Sequence, residues 1–172
     1  MSSLKTFSVA IGLGANLGDP PTTIRTAVRL LVAGGLAEPR LSPLFETEPM
    51  HCVPGTPRFV NAAVIGRWSG SLTALFRLCK DIEHRLGRPV EHSSQEARVI
   101  DLDILLFGAR RAVTATLRVP HPRLLSRRFA LAPLACLAPD WRIPGTDLTV
   151  GDALARLGDA TDTGSIRRLP DG

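Results

Sequence analysis

Large apolar and small residues alternate along Phe7-Ser8-Val9-Ala10-Ile11-Gly12-Leu13, which predicts a strand whose second face packs something closely. The following Gly14-Ala15-Asn16-Leu17-Gly18-Asp19-Pro20-Pro21 is turn chemistry, and its prolines suit a helix start. Ile24, Ala27, Val28 and Leu31 then recur at helical spacing, so Thr22 to Ala33 reads as an amphipathic helix closed by Gly34-Gly35. A strand from about Arg40 to Thr47, a proline-rich loop from Glu48 to Pro57 and a strand from Phe59 to Trp68 come next. A second helix spans Ser71 to Leu86, with Leu72, Leu75, Phe76, Cys79, Ile82 and Leu86 on one stripe.

The polar, aperiodic run from Arg88 to Ala97 predicts a loop long enough to act as a lid. Val99 to Phe107 has the strongest strand pattern, and Ala112 to Val119 reads as a further strand after a Gly108-Ala109-Arg110-Arg111 turn. Short helical turns interrupted by Pro133 are expected from Arg123 to Leu137. Thr149 and Asp152 form a capping-box pattern ahead of a last helix, Val150 to Leu157. One domain over residues 1–158 follows, with 159–172 a polar, frayed tail. The order β-α-β-β-α-β plus an appended strand and C-terminal helices predicts an α+β, ferredoxin-like antiparallel sheet with helices packed on it.

Composition narrows the class. The 172 residues are 44% hydrophobic and 22% charged, ordinary values for a folded soluble chain. No apolar run is long enough to span a bilayer, and no secretory leader pattern opens the chain. Cys52, Cys79 and Cys136 make no CxxC pair, so a reducing cytoplasm is the expected compartment. The formal net charge is +5, and Lys5 and Lys80 are the only lysines among 21 basic residues. Such a surface attracts polyanions, yet the arginines are scattered and no nucleic-acid motif accompanies them. The alternative is an arginine-rich surface with no ligand attached to it, and neither nucleic acid nor membrane is expected as a partner.

The chemistry centres on Arg98-Val99-Ile100-Asp101-Leu102-Asp103-Ile104-Leu105-Leu106-Phe107-Gly108. On a strand, Asp101 and Asp103 share one face, with Cα atoms roughly 6.5–7 Å apart. The opposite face, Ile100, Leu102, Ile104 and Leu106, is apolar and must lie against helices. Two such carboxylates repel one another unless a cation intervenes, and hard oxygens at this spacing suit Mg²⁺ that draws its other ligands from phosphates. There is no Walker lysine motif, and the glycines of Gly12-Leu13-Gly14-Ala15-Asn16-Leu17-Gly18 are misspaced for a dinucleotide loop. Phosphate charge is then left to metal and to arginines such as Arg88, Arg98, Arg118 and Arg127. His121 sits rigidly between prolines and is able to donate to a phosphate. Phe59 and Asn61 offer an aromatic face and an amide on one side of a strand, which suits a flat heteroaromatic ring as well as it suits a core position. Glu83 falls at the edge of an apolar stripe, where a carboxylate needs a partner or a solvated cleft.

These segments together resemble the 6-hydroxymethyl-7,8-dihydropterin pyrophosphokinase family. The matching pieces are Gly14 to Asp19, Phe45-Glu46-Thr47-Glu48-Pro49, Phe59-Val60-Asn61-Ala62-Ala63, Glu83 to Arg88, Arg98 to Gly108, and Val119-Pro120-His121-Pro122 through Arg127-Arg128-Phe129, in family order over about residues 8 to 145. The resemblance implies Mg²⁺- and ATP-dependent transfer of diphosphate to the pterin hydroxyl, in tetrahydrofolate biosynthesis. It implies two Mg²⁺ ions on Asp101 and Asp103, with Arg88 and Arg98 as catalytic phosphate clamps from the lid. It further implies ATP contacts from Glu83, Ile104, Arg118, His121 and Arg127, and a pterin pocket of Thr47, Pro49, Phe59, Asn61 and Phe129. The partners implied are ATP and the hydroxymethyl dihydropterin, on a monomer.

The chain also departs from the family. Ser94-Gln95-Glu96-Ala97 stands where a Trp-Gly-Pro-Arg-like run is usual, Val90 where arginine is common, Lys80 where glutamine is usual, and Cys136 where an acid is usual. Fewer lid cations imply weaker closure over a triphosphate. The alternatives are a pterin- or nucleotide-binding paralogue with little transferase activity, and a basic nucleic-acid-binding module.

Overall fold

The structure, a computed structural model, describes residues 5–49, 54–87, 99–158 and 165–170. Its centre is an antiparallel sheet in the order β5-β1-β4-β3-β8, with β2 also pairing with β4. The strands are β1 (Phe7–Ala15), β2 (Ala37–Leu41), β3 (Phe45–Thr47), β4 (Phe59–Trp68), β5 (Asp101–Phe107) and β8 (Ile166–Arg168). Helices α1 (Pro20–Ala33) and α2 (Leu72–Arg85) join them, and this is the ferredoxin-like arrangement the pattern predicts. Each helix starts on a side-chain cap: Asp19 accepts from Thr22 N at 3.2 Å ahead of Pro20 and Pro21, and Ser71 accepts from Ala74 N at 3.1 Å.

Both faces of the sheet are covered. On one face, Val9, Ile11 and Leu13 of β1 and Val60, Ala62 and Val64 of β4 pack with Ile24, Leu31, Leu75, Cys79 and Ile82 of α1 and α2. Burial pushes the Cys79 thiol up to about 12, so it serves here as a small core residue. On the other face, Ala10, Ala63, Ile65, Leu105 and Leu106 pack with α3 (Arg128–Ala135) and α4 (Val150–Leu157). The capping box of α4 forms as predicted, with Thr149 and Asp152 exchanging hydrogen bonds at 3.0 and 3.1 Å.

Several expectations are corrected. The strand expected over Arg40–Thr47 is split into β2 and β3, because Pro43 has no N–H to give to the ladder. The buried Ser42 repairs the gap: its Oγ accepts from Ala63 N, and its own N–H donates to Ala63 O, both at 2.9 Å. The strand expected over Ala112–Val119 is a hairpin of two short strands, β6 (Ala112–Val113) and β7 (Arg118–Val119). Thr114 closes its turn by accepting from Leu117 N at 3.0 Å, a local bond that competes with an extended run. Pro133 lies inside α3 instead of interrupting it, since burial of Ala130, Leu131 and Leu134 holds the short helix through the missing hydrogen bond. The tail is not frayed throughout. Residues 166–168 form β8 on the open edge of β3, tied by Leu169 N to Leu44 O at 2.8 Å.

The face assignment of β5 also changes within the strand. Its pairing with β1 shifts register between Ala10 and Ile11, leaving Leu105 as an extra, bulged residue. Ile100, Leu102 and Ile104 face α1 and α2 as expected, but past the bulge Leu106 joins Leu105 on the opposite face and Phe107 returns to the first.

Candidate active site

The α3/α4 layer packs over only part of its face of the sheet. Beyond Ala10, Ala63 and Leu105, the same face continues through residues that carry no large aliphatic group. In register across the strands run Asp101 of β5, Gly14 of β1, Asn61 of β4 and Phe45 of β3. The next rung pairs Asp103 with Gly12 and Gly12 with Ala63. At the other end, Phe59 pairs with Thr47. The carboxylates and the amide are thus two strand spacings apart, about 10 Å, with a glycine floor between them. The floor must be bare. A Cβ on Gly14 would lie 3.2 Å from Asn61 Oδ1, and one on Gly12 would lie 3.3 Å from the Leu105 side chain.

At the amide end, buried Asn61 donates from Nδ2 to Thr47 Oγ1 at 2.8 Å. In this orientation Oδ1, an acceptor, lies over Gly14. Phe59 is half-buried beside it, and Pro49 is half-buried just beyond β3. Phe129 sits in the first turn of α3, with the Arg127 guanidinium 5.3 Å from its ring centroid. Asn16, to which the sequence assigned no role of its own, is buried and donates to Pro57 O at 3.1 Å, fastening the loop before β4 to the end of β1.

At the carboxylate end, Arg127 Nη1 and His121 Nε2 lie 3.4 and 3.7 Å from Asp103 Oδ2. His121 is held from two sides. Its backbone N–H donates to the carbonyl of the bulged Leu105 at 3.1 Å, and its Nδ1 accepts from Arg123 N at 3.2 Å. With Nδ1 occupied as an acceptor, the neutral ring carries its proton on Nε2, facing Asp103. Burial holds the imidazole below its usual pKa, opposed by the Asp103 carboxylate and assisted by Arg127. Asp103 itself is 34% exposed at the side chain, so a ligand can reach it.

A second arginine, Arg118, is exposed on β7. It shares with Arg111 and His121 a cavity of about 310 Å³ between the β6–β7 hairpin and residues 143–146. Ile104 is buried in the helix-side core, on the face opposite the aspartates. Glu83 also reaches the sheet from that side and is 3% exposed. Its Oε1 accepts from Leu102 N at 2.7 Å, and both its oxygens accept from Lys80 Nζ at 2.9 Å. Burial raises its pKa, and the Lys80 ammonium and the Leu102 N–H oppose that rise. Arg88 and Arg98, the expected lid arginines, lie outside the described residues, as do His51 and Cys52.

A divalent ion fits the carboxylate end by the chemistry of its donors. Asp101 and Asp103 offer two hard oxygen ligands on one partly exposed face. No group of three His, Cys, Asp or Glu suited to a metal occurs among the described residues. Two protein carboxylates with the rest of the shell left to water and phosphate is the usual demand of Mg²⁺.

Comparison with known proteins identifies the family to which this fold and site belong. Residues 10–139 match the family model of 7,8-dihydro-6-hydroxymethylpterin-pyrophosphokinase, and the chain belongs to that family. It is 40% identical over 126 residues to the Bacillus subtilis 2-amino-4-hydroxy-6-hydroxymethyldihydropteridine pyrophosphokinase, covering 73% of this chain and 74% of that protein. It is 39% identical over 129 residues to the Arabidopsis thaliana folate synthesis bifunctional protein, covering 75% of this chain and 26% of that one. The chain therefore spans only about a quarter of such bifunctional relatives. A solved HPPK-DHPS in complex with substrates shares the fold, with TM-score 0.72 and 13% identity over 95% of this chain and 46% of that one.

Proposed function

We propose that this chain transfers a diphosphate group from ATP to the hydroxyl of 6-hydroxymethyl-7,8-dihydropterin, releasing AMP. The supporting observation is the single rung that sets Asp101, bare Gly14 and the Thr47-oriented Asn61 side by side. Along that rung a flat ring seats its edge on Asn61 Oδ1 and its face against Phe59, and its substituent extends over glycine toward the aspartates. The pterin hydroxyl oxygen attacks the β-phosphorus, the bond from that phosphorus to the α-phosphate bridging oxygen breaks, and the hydroxyl proton is lost to solvent.

Asp101 and Asp103 would hold Mg²⁺, two ions by family resemblance, which when bound would neutralise phosphate charge. His121 Nε2–H and Arg127 converge beside Asp103 and orient phosphate oxygens through charge-assisted hydrogen bonds. Arg118 extends that positive field, and by family resemblance alone Arg88 and Arg98 are assigned further phosphate contacts. No covalent enzyme intermediate is needed, because positioning and electrostatics suffice for this class of transfer.

The test is AMP and pterin diphosphate formation by purified protein, followed chromatographically with ATP, Mg²⁺ and the hydroxymethyl dihydropterin. Both products should appear in equal amounts, and EDTA should abolish them. Tight binding of both substrates without AMP would favour a non-catalytic paralogue, the reading that the departures in the lid sequence favour.

A further inference from the structure

We propose that Glu83 is a positioning residue. Clamped by Lys80, it grips the outer edge of β5 at the peptide between the two aspartates and sets how Asp101 and Asp103 present their carboxylates. The inference rests on the metal-binding reading of that pair.

Among the described residues the sheet order leaves β5 with one strand neighbour, β1, so its outer backbone groups receive no ladder bonds from those residues. One of them, the N–H of Leu102, points away from β1 in a residue that is fully buried. A buried backbone donor needs an acceptor, and Glu83 supplies it at 2.7 Å. A carboxylate is a costly choice for that task, since burying its charge is unfavourable. Lys80 offsets the cost with both of its 2.9 Å bonds, and the Lys80 ammonium also lies 5.6 Å from the Phe76 ring centroid, which keeps it on the α2 surface. The helix beneath does not yield, because Leu75, Cys79 and Ile82 are buried on the same stripe. The charge-assisted bond therefore pins residue 102 to a rigid helix. The residues immediately before and after it have side chains on the opposite face, so any tilt of the Leu102 peptide moves both carboxylates together. The pairing is a property of this chain: it depends on Lys80, three residues ahead of Glu83 on one helix turn.

Three variants test the role: Glu83→Ala, Glu83→Gln combined with Lys80→Met, and Lys80→Met alone. The double variant keeps a carbonyl acceptor for Leu102 and removes both charges. In the free protein, hydrogen exchange at the Leu102 amide should accelerate about tenfold or more in Glu83→Ala and stay within about threefold of wild type in the double variant. In turnover, Glu83→Ala should lose up to about 10²-fold in kcat with pterin KM unchanged, and the double variant should recover most of that loss. Lys80→Met should fall between the two. Unchanged Leu102 exchange in Glu83→Ala overturns the proposal. So does a double variant that falls as far as Glu83→Ala while Leu102 remains protected, because that pattern marks direct contact of the carboxylate with nucleotide. Should Glu83→Ala not fold, the double variant carries both readouts alone. The exchange measurement uses no substrate, so failure of the proposed activity is distinguishable from failure of the positioning role.

Discussion

The two faces of one strand behave as different materials. On β1, Val9, Ile11 and Leu13 are buried under α1 and α2, while Ala10, Gly12 and Gly14, one residue out of phase, are small: Ala10 packs under α3 and α4, and the two glycines floor the cleft. On β5, Leu102 and Ile104 join the core, and Asp101 and Asp103 stand on the other side. The period of two lets a single backbone supply packing with one set of positions and chemistry with the next. Core burial on one face holds the strands in register, and that register brings carboxylate, glycine and amide into line on the other.

Substitutions on the two faces should separate activity from stability. The largest expected effect is on the open face: Asp103→Asn should lower kcat by about 10²–10³-fold while the thermal midpoint stays near wild type, read by paired AMP-release and melting assays. A large drop in melting temperature for that variant would mean the aspartate belongs to the fold. On the helix-side face, Ile11→Ala should cost about 2–5 kcal/mol in denaturant unfolding, because Ile11 is fully buried. Its kcat per folded molecule should be close to that of wild type, and a comparable loss in kcat would show that the faces are not independent.

Gly14→Ala tests the floor between the two ends. The added Cβ would meet Asn61 Oδ1 at 3.2 Å, so KM for the pterin should rise about tenfold, roughly 1.4 kcal/mol, with little change for ATP. Equal losses for both substrates would move the pterin away from that rung.

The smallest effect concerns the far edge of the sheet. Arg167 and Arg58, bonded to Glu46 at 2.9 and 3.0 Å, hold its carboxyl below the usual value of 4.5. A depressed carboxyl stabilises the folded edge above the unfolded pKa and loses that contribution as pH falls through the folded one. The Leu169 amide resonance should therefore shift as the solution is acidified below pH 4.5, and Glu46→Gln should abolish the transition. A transition that survives in Glu46→Gln would assign the edge to another acid.

Much of this was legible in the chain alone. The Asp-Leu-Asp alternation, the helical stripes, the capping box at Thr149 and Asp152, and the Phe59/Asn61 pairing are local patterns, and local patterns follow from the geometry of helix and strand. Lys80 and Glu83 were both readable as residues, but not their hold on Leu102, because the partner is a backbone N–H nineteen positions away. The bulge at Leu105 was equally silent: an extra residue leaves no mark on a run of leucines, yet it moves Leu106 to the other face and offers the carbonyl that seats His121.

The sequence by itself determined the main strands and helices, the capping box ahead of α4, and that two aspartates share a strand face, since each depends on neighbours within a few residues. Only the tertiary structure decided that Asn61 lies opposite Gly14 and Asp101, that His121 and Arg127 close on Asp103, and that residues 166–168 return to cover β3. Those meetings are set by strand order and register, which the whole packed sheet selects at once and no short stretch of chain encodes.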